Sequence, residues 1–160
     1  MAIKMTTTEK MIVEFLKKAF RILNDEIFNM LAYLGEECIR KIRDRTEDES
    51  WYDHSSNLRS TIGYAIYDHG YTVIQSAFET LKGGVEGTTE GKRMVADLAS
   101  QYANTYALVV VAAMNYADKV EALENKDVLE STRIWAQGVI EKRIERALEV
   151  AEKKINALTL

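Results

Sequence analysis

Thr61-Ile62-Gly63-Tyr64-Ala65-Ile66-Tyr67-Asp68-His69-Gly70-Tyr71-Thr72-Val73-Ile74-Gln75-Ser76-Ala77-Phe78 is the stretch whose reading decides the fold class. Ile62, Tyr64 and Ile66 alternate with Thr61, Gly63, Ala65 and Tyr67, and a period of two in β-branched and aromatic residues suits a pleated surface. Asp68-His69-Gly70 reads as a three-residue turn with glycine where a positive φ is wanted, and Tyr71 to Phe78 returns as a second strand.

Upstream of the hairpin the period changes. Thr6 and Glu9 have capping-box spacing, so hydroxyl and carboxylate each satisfy an otherwise unpaired backbone N–H. From there Ile12, Leu16, Ala19, Leu23, Ile27, Met30, Leu34 and Cys38 recur at three- and four-residue steps and predict a helix from about Thr7 to Arg45. Phe15, Phe20, Phe28, Leu31, Ile39 and Ile42 widen the stripe beyond one packing surface. At about 1.5 Å per residue the helix would run roughly 55–60 Å, more than a small domain needs. Gly35 is expected to mark a bend, because interior glycine weakens a helix by about 1 kcal/mol relative to alanine. Asp44 to Asp53 is acidic and polar and reads as an exposed connection.

Downstream, Leu81 to Gly91 holds Gly83, Gly84, Gly87 and Gly91 and reads as a mobile loop. A shorter middle helix follows, with Met94, Val95, Leu98, Ala99 and Tyr102 on one side. Tyr106 to Met114 is a continuous apolar run, the pattern of a central strand covered on both faces. The last segment, about Asp127 to Leu158, is again helical. Asp127 and Glu130 have capping spacing, and Leu129, Ala136, Ile140, Ala147, Ala151 and Ile155 form a narrow apolar stripe among mixed charges. The expected fold class is therefore α+β: a small antiparallel β-sheet of about three strands, packed by long N- and C-terminal helices and a shorter middle helix.

Composition agrees with one folded domain spanning residues 1–160. Apolar content of 47% with 29% charged residues is that of a globular chain, not a disordered one. A net charge of −4 argues against a protein that grips phosphates. Cys38 is the sole cysteine, which removes any intrachain disulfide or cysteine-based zinc site, and its apolar neighbours at helical spacing mark it as a buried small hydrophobe. No apolar run approaches the roughly 18 residues of a membrane span, and the amino terminus lacks a signal core, so a soluble protein made in a cytoplasm is expected.

Catalytic patterns fail on inspection. A P-loop needs Gly-x-x-x-x-Gly-Lys followed by Ser or Thr; before Gly91-Lys92 the glycine position holds Glu86, and Arg93 replaces the hydroxyl. Asp53-His54 and Asp68-His69 would supply four metal ligands only if both loops met, and adjacent residues on one loop rarely aim at one ion. Asp53, His54 and Ser55 are sequence neighbours and cannot form the linear relay of a triad. Trp51, Tyr52, Tyr64, Tyr67 and Tyr71 cluster near Arg59, but beside an acidic approach and not the basic groove a stacking platform needs. Neither cofactor nor catalytic residue is expected.

Two short segments carry a resemblance. Ser55-Ser56-Asn57-Leu58-Arg59-Ser60-Thr61-Ile62 enters the hairpin, and Asn115-Tyr116-Ala117-Asp118-Lys119-Val120-Glu121 follows the apolar strand. They resemble the Thr-Gly-x-Leu-Arg-x-Ser-Ile and Tyr-Ala-x-x-Val-Glu segments of the gene-product-ten-like neck, or tail-completion, proteins of tailed bacteriophages. Leu58, Arg59, Ile62, Tyr116, Val120 and Glu121 are retained. Ser56 stands where that family has glycine, and Ala122-Leu123-Glu124-Asn125 replaces a later glycine. The order helix, hairpin, helix, strand, helix is similar to the family throughout.

The resemblance implies a virion structural protein and no enzyme, acting at the head-tail junction after assembly in the host bacterial cytoplasm. It would form a homo-oligomeric ring around the DNA channel, with double-stranded DNA passing without specific binding and no membrane involved. Its partners would be a portal-side connector or head-closure protein and a tail terminator or tail tube protein. A tail terminator or other phage ring protein is the alternative, and a small intracellular enzyme or regulator of similar layout a second. Leu58 and Ile62 would anchor the loop-to-strand entry, Arg59 would hold carboxylates or carbonyl ends, with Glu121 one candidate, and Tyr116 and Val120 would pack the strand's exit. Gly83, Gly84, Gly87 and Gly91 would form a loop, residues 82–91, that orders on docking.

Overall fold

A computed structural model describes residues 8–45, 55–115, 117 and 128–158. The elements are α1 (Glu9–Arg43), α2 (Asn57–Thr61), β1 (Gly63–Asp68), β2 (Tyr71–Gln75), α3 (Val85–Leu98), a 3-10 turn (Ala99–Tyr102), β3 (Tyr106–Val111) and α4 (Glu130–Asn156). The fold is α+β, with three antiparallel strands in one sheet, two long helices and a middle helix. Thr6 and Asp127, the expected capping residues, and most of the acidic connection lie outside the described residues. The chain divides into two compact units, Met1–Met30 with Ile140–Leu160, and Leu31–Val139.

Within Leu31–Val139 the sheet order is β2-β1-β3. β1, the first hairpin strand, is therefore central, and Gly63 through Tyr67 are all buried. This corrects the expectation for Tyr106–Met114: β3 ends at Val111, is an edge strand, and is mostly half-buried. A continuous apolar run signals burial of both faces, whereas centrality depends on pairing along both edges, which hydrophobicity does not encode.

The hairpin turn also differs. Asp68 pairs with Tyr71, leaving His69 and Gly70 as a two-residue loop. Both have positive φ, 48° and 86°, the type I′ pattern that matches strand twist. The register shifts between Ile66 and Tyr67, where Ile66 faces Ile74 and Tyr67 faces Thr72, so Val73 is the extra residue of a bulge. β2 stops at Gln75, and Phe78 beyond it takes φ 51°.

One sheet face packs Ala65, Tyr67 and Val111 with Phe78 and Val95, backed by Leu98, Ala99 and Tyr102. The Tyr67 ring stacks on Tyr102 at 5.4 Å between centroids, and its buried hydroxyl donates to the Val95 carbonyl. Burial pushes the Tyr67 hydroxyl pKa up. On the opposite side of the pleat Tyr64 meets α1 at Gly35, where an added Cβ would lie 2.7 Å from the ring. Gly35 thus sits inside an unbroken helix to admit a tyrosine, not to mark a bend. Leu34, Cys38, Ile39 and Ile42 are buried on this stretch of α1. Each such side chain contributes about 1.5–3 kcal/mol. The amino end of α4 is held by Arg45, which donates to Ser131 Oγ at 2.8 Å, while Lys41 lies 4.4 Å from the Trp135 ring centre.

Within the other unit, α1 up to Met30 accompanies α4 from Ile140. Ala147 and Ala151 are buried, Ile140 and Ile155 half-buried, and Lys154 pairs with Glu26. The seam follows the expected stripe on α4 and, on α1, at Ala19, Leu23, Ile27 and Met30, but Ile12 and Leu16, expected on the same packed face, are exposed.

Candidate functional site

Leu58, Arg59 and Ile62 occupy a short helical entry into β1. Leu58 and Ile62 are buried, as expected of anchors. Ser56, which precedes α2, is buried in left-handed backbone with φ 57°, a conformation glycine adopts with little penalty. Ser60 and Thr61 are buried but satisfied: Thr61 Oγ1 donates to the Leu58 carbonyl at 2.8 Å, and Ser60 Oγ accepts from the Leu81 N–H at 2.9 Å.

Arg59 Nη1 donates to the Arg43 carbonyl at 2.6 Å, at the end of α1. A charge there satisfies an orphan carbonyl and complements the negative end of the helix dipole. Arg43 in turn donates to the Ile62 carbonyl at 2.9 Å and to Glu79 Oε2 at 3.1 Å. Burial lowers the Arg43 pKa, partly offset by Glu79 and Glu36. The two arginines thus lace α1, the strand entry and the segment after β2. Tyr116, Val120 and Glu121 lie outside the described residues, as does the proposed Arg59–Glu121 contact; neighbouring Ala117 is buried.

The glycine-rich segment is not the mobile loop expected. α3 begins at Val85, so Gly87 and Gly91 are helical, and both are buried. A Cβ on Gly87 would lie 2.8 Å from the Asn57 carbonyl carbon; one on Gly91 would lie 2.6 Å from the Phe78 ring and 2.8 Å from the Thr61 carbonyl oxygen. At Gly84 the obstruction is Ser60 and the Ser56 backbone. Only Gly83, with φ 92° and open space around it, keeps a turn role. Three of the four glycines therefore let α3 approach α2 closely. Asn57 seals this contact, accepting from the Gly87 N–H at 3.3 Å and donating to Glu86 at 3.2 Å. Sequence spacing reads glycines as flexibility because it does not show what backbone lies opposite.

Of the two Asp-His pairs, Asp53-His54 lies outside the described residues. His69 Nδ1 and Asp68 Oδ1 are 2.5 Å apart on an exposed turn, with Tyr106 edge-on to the imidazole at 5.2 Å. Among the described residues no three His, Cys, Asp or Glu side chains gather as a metal site. Nor is any described helix long and apolar enough to cross a membrane. Tyr64 and Tyr67 are core residues, while Tyr71 is exposed. Among side chains able to engage a partner, the prominent group is apolar. Ile12, Leu16 and Phe20, four residues apart on α1, form one ridge in water, Phe20 being 62% exposed. Ile144 and Leu148 form a second on α4. The sequence signal for this surface was the surplus apolar width of α1 at Phe20; Ile12 and Leu16 belonged to the stripe expected to be packed.

Comparison with known proteins adds no relative. No family model, curated protein or solved structure matches the chain.

Proposed function

We propose that the protein is a structural subunit of a tailed-phage virion, forming a homo-oligomeric ring at the neck that joins the portal-side connector to the tail around the DNA channel. The observation that carries this reading is the pair of apolar ridges, Ile12/Leu16/Phe20 and Ile144/Leu148, left in water by a single copy. Ridges of that kind mark interaction surfaces, and a closed ring of identical subunits covers them without leaving a free end.

Further support comes from the strand entry. Leu58 and Ile62 anchor it, Arg59 holds a carbonyl end, and Ser56 adopts left-handed backbone at the position where the resembled family has glycine. The net charge of −4 suits a channel wall along which DNA slides. Close packing of Gly84, Gly87 and Gly91 removes residues 82–91 as a disordered docking arm, so joining is assigned to the faces of the ring.

Native mass spectrometry and negative-stain imaging of the full chain test the reading. A closed oligomer with a central opening is expected. A monomer at micromolar concentration overturns it.

A further inference from the structure

Resting on the assembly reading above, we infer that the α1 ridge of one copy docks antiparallel on the α4 ridge of a second copy, in a register set by two complementary rows of charge. At 100° per residue, Lys17 and Arg21 lie along one flank of the Ile12/Leu16/Phe20 ridge. Glu141 and Glu145 lie along the matching flank of the Ile144/Leu148 ridge. Each row has the same spacing of four residues.

Laid antiparallel, the rows coincide: Lys17 falls opposite Glu145 and Arg21 opposite Glu141. The same register brings Leu148 between Ile12 and Leu16, and Ile144 between Leu16 and Phe20. Ridge thus enters groove at every apolar position, as helix packing requires. The other pairings are poorer. Two α1 ridges would bring basic rows together, and two α4 ridges would bring acidic rows together, which is unfavourable.

Affinity in this interface comes from desolvating Leu16, Phe20, Ile144 and Leu148, while the charge rows choose partner and register. In the single copy Lys17 stands 3.6 Å from Glu14, and Arg21 3.9 Å from Asp25. Both are well-exposed pairs within one helix, of a kind that contributes little, so exchanging them for partners on another copy costs little.

The test needs no tail partner: native mass spectrometry and analytical ultracentrifugation on the full chain, with circular dichroism confirming unchanged helix content. Phe20→Glu should raise the subunit dissociation constant by at least about 30-fold. Lys17→Glu should raise it at least about tenfold, and adding Glu145→Lys in the same chain should restore it to within about threefold. Mixing Leu16→Cys chains with Leu148→Cys chains under oxidation should give mixed disulfide dimers. If the wild type assembles but Phe20→Glu assembles equally well, or the charge swap fails to restore, this interface is wrong and the assembly reading stands. A disulfide dimer of Leu16→Cys chains alone likewise overturns the pairing. A monomeric wild type overturns both.

Discussion

Replacing Gly87 by alanine sets two opposing effects against each other inside α3. Intrinsic helix propensity favours alanine over interior glycine by about 0.8–1 kcal/mol. The added methyl, however, would lie 2.8 Å from the Asn57 carbonyl carbon and 3.0 Å from its Cα, and closer still to the carbonyl oxygen. Ordinary contact begins at 3.4 Å, so α2 and α3 must separate by at least about 0.6 Å. The obstacle is backbone, which has no rotamer to yield, and overpacking of this kind costs about 1–3 kcal/mol. Separation also loosens the bond from the Gly87 N–H to Asn57 Oδ1, with about 1 kcal/mol at stake. The net expectation is a loss of about 2 kcal/mol. Gly138→Ala provides the matched control: it lies inside α4 with nothing within 4 Å of its Cβ position, so only the propensity gain of about 1 kcal/mol remains. Both glycines belong to Leu31–Val139, so one denaturation transition reports on both. Urea titration followed by circular dichroism should separate the two variants by about 3 kcal/mol, with opposite signs relative to the parent. If Gly87→Ala gains stability as Gly138→Ala does, the close approach of α2 and α3 is refuted.

Arg59→Ala removes a charged donor from the end of α1 and should cost about 1.5–3 kcal/mol in urea titration, with Arg59→Lys recovering only part because a single ammonium replaces the planar fork. Phe78→Ala empties the contact shared with Gly63 and Gly91 and should cost about 3–5 kcal/mol; a cost under 1 kcal/mol would mean that its ring is not a core plug. The Tyr64 hydroxyl is pushed up to about 12 by burial first, then by the charge of Glu36 and a hydrogen bond to it. Between the ordinary value of 10 and about 12 the folded chain holds a proton that the unfolded chain has released, so stability is constant below this window and falls as pH rises through it. Tyr64→Phe should flatten that alkaline fall, and an unchanged slope would exclude Tyr64 as its source.

What the sequence determined alone was the local grammar. The 3.6-residue stripes placed α1 and α4 within a few residues of their observed ends, and the period-two alternation placed β1. These features depend on which side chains recur on one face, a property of spacing. The surplus apolar width around Phe20 was legible for the same reason. Tertiary structure alone decided which strand is central, because that depends on partners at both edges: β1 acquires two neighbours and β3 one. It also decided the meaning of the glycines. Gly35 faces Tyr64, Gly87 faces Asn57 and Gly91 faces Phe78, so each is glycine because of a residue distant in sequence. Arg59 followed the same logic, its acceptor being a backbone carbonyl at the end of α1 that no residue pattern marks. Spacing along one chain encodes the faces of elements; what each face meets is a relation between segments, and only packing supplies it.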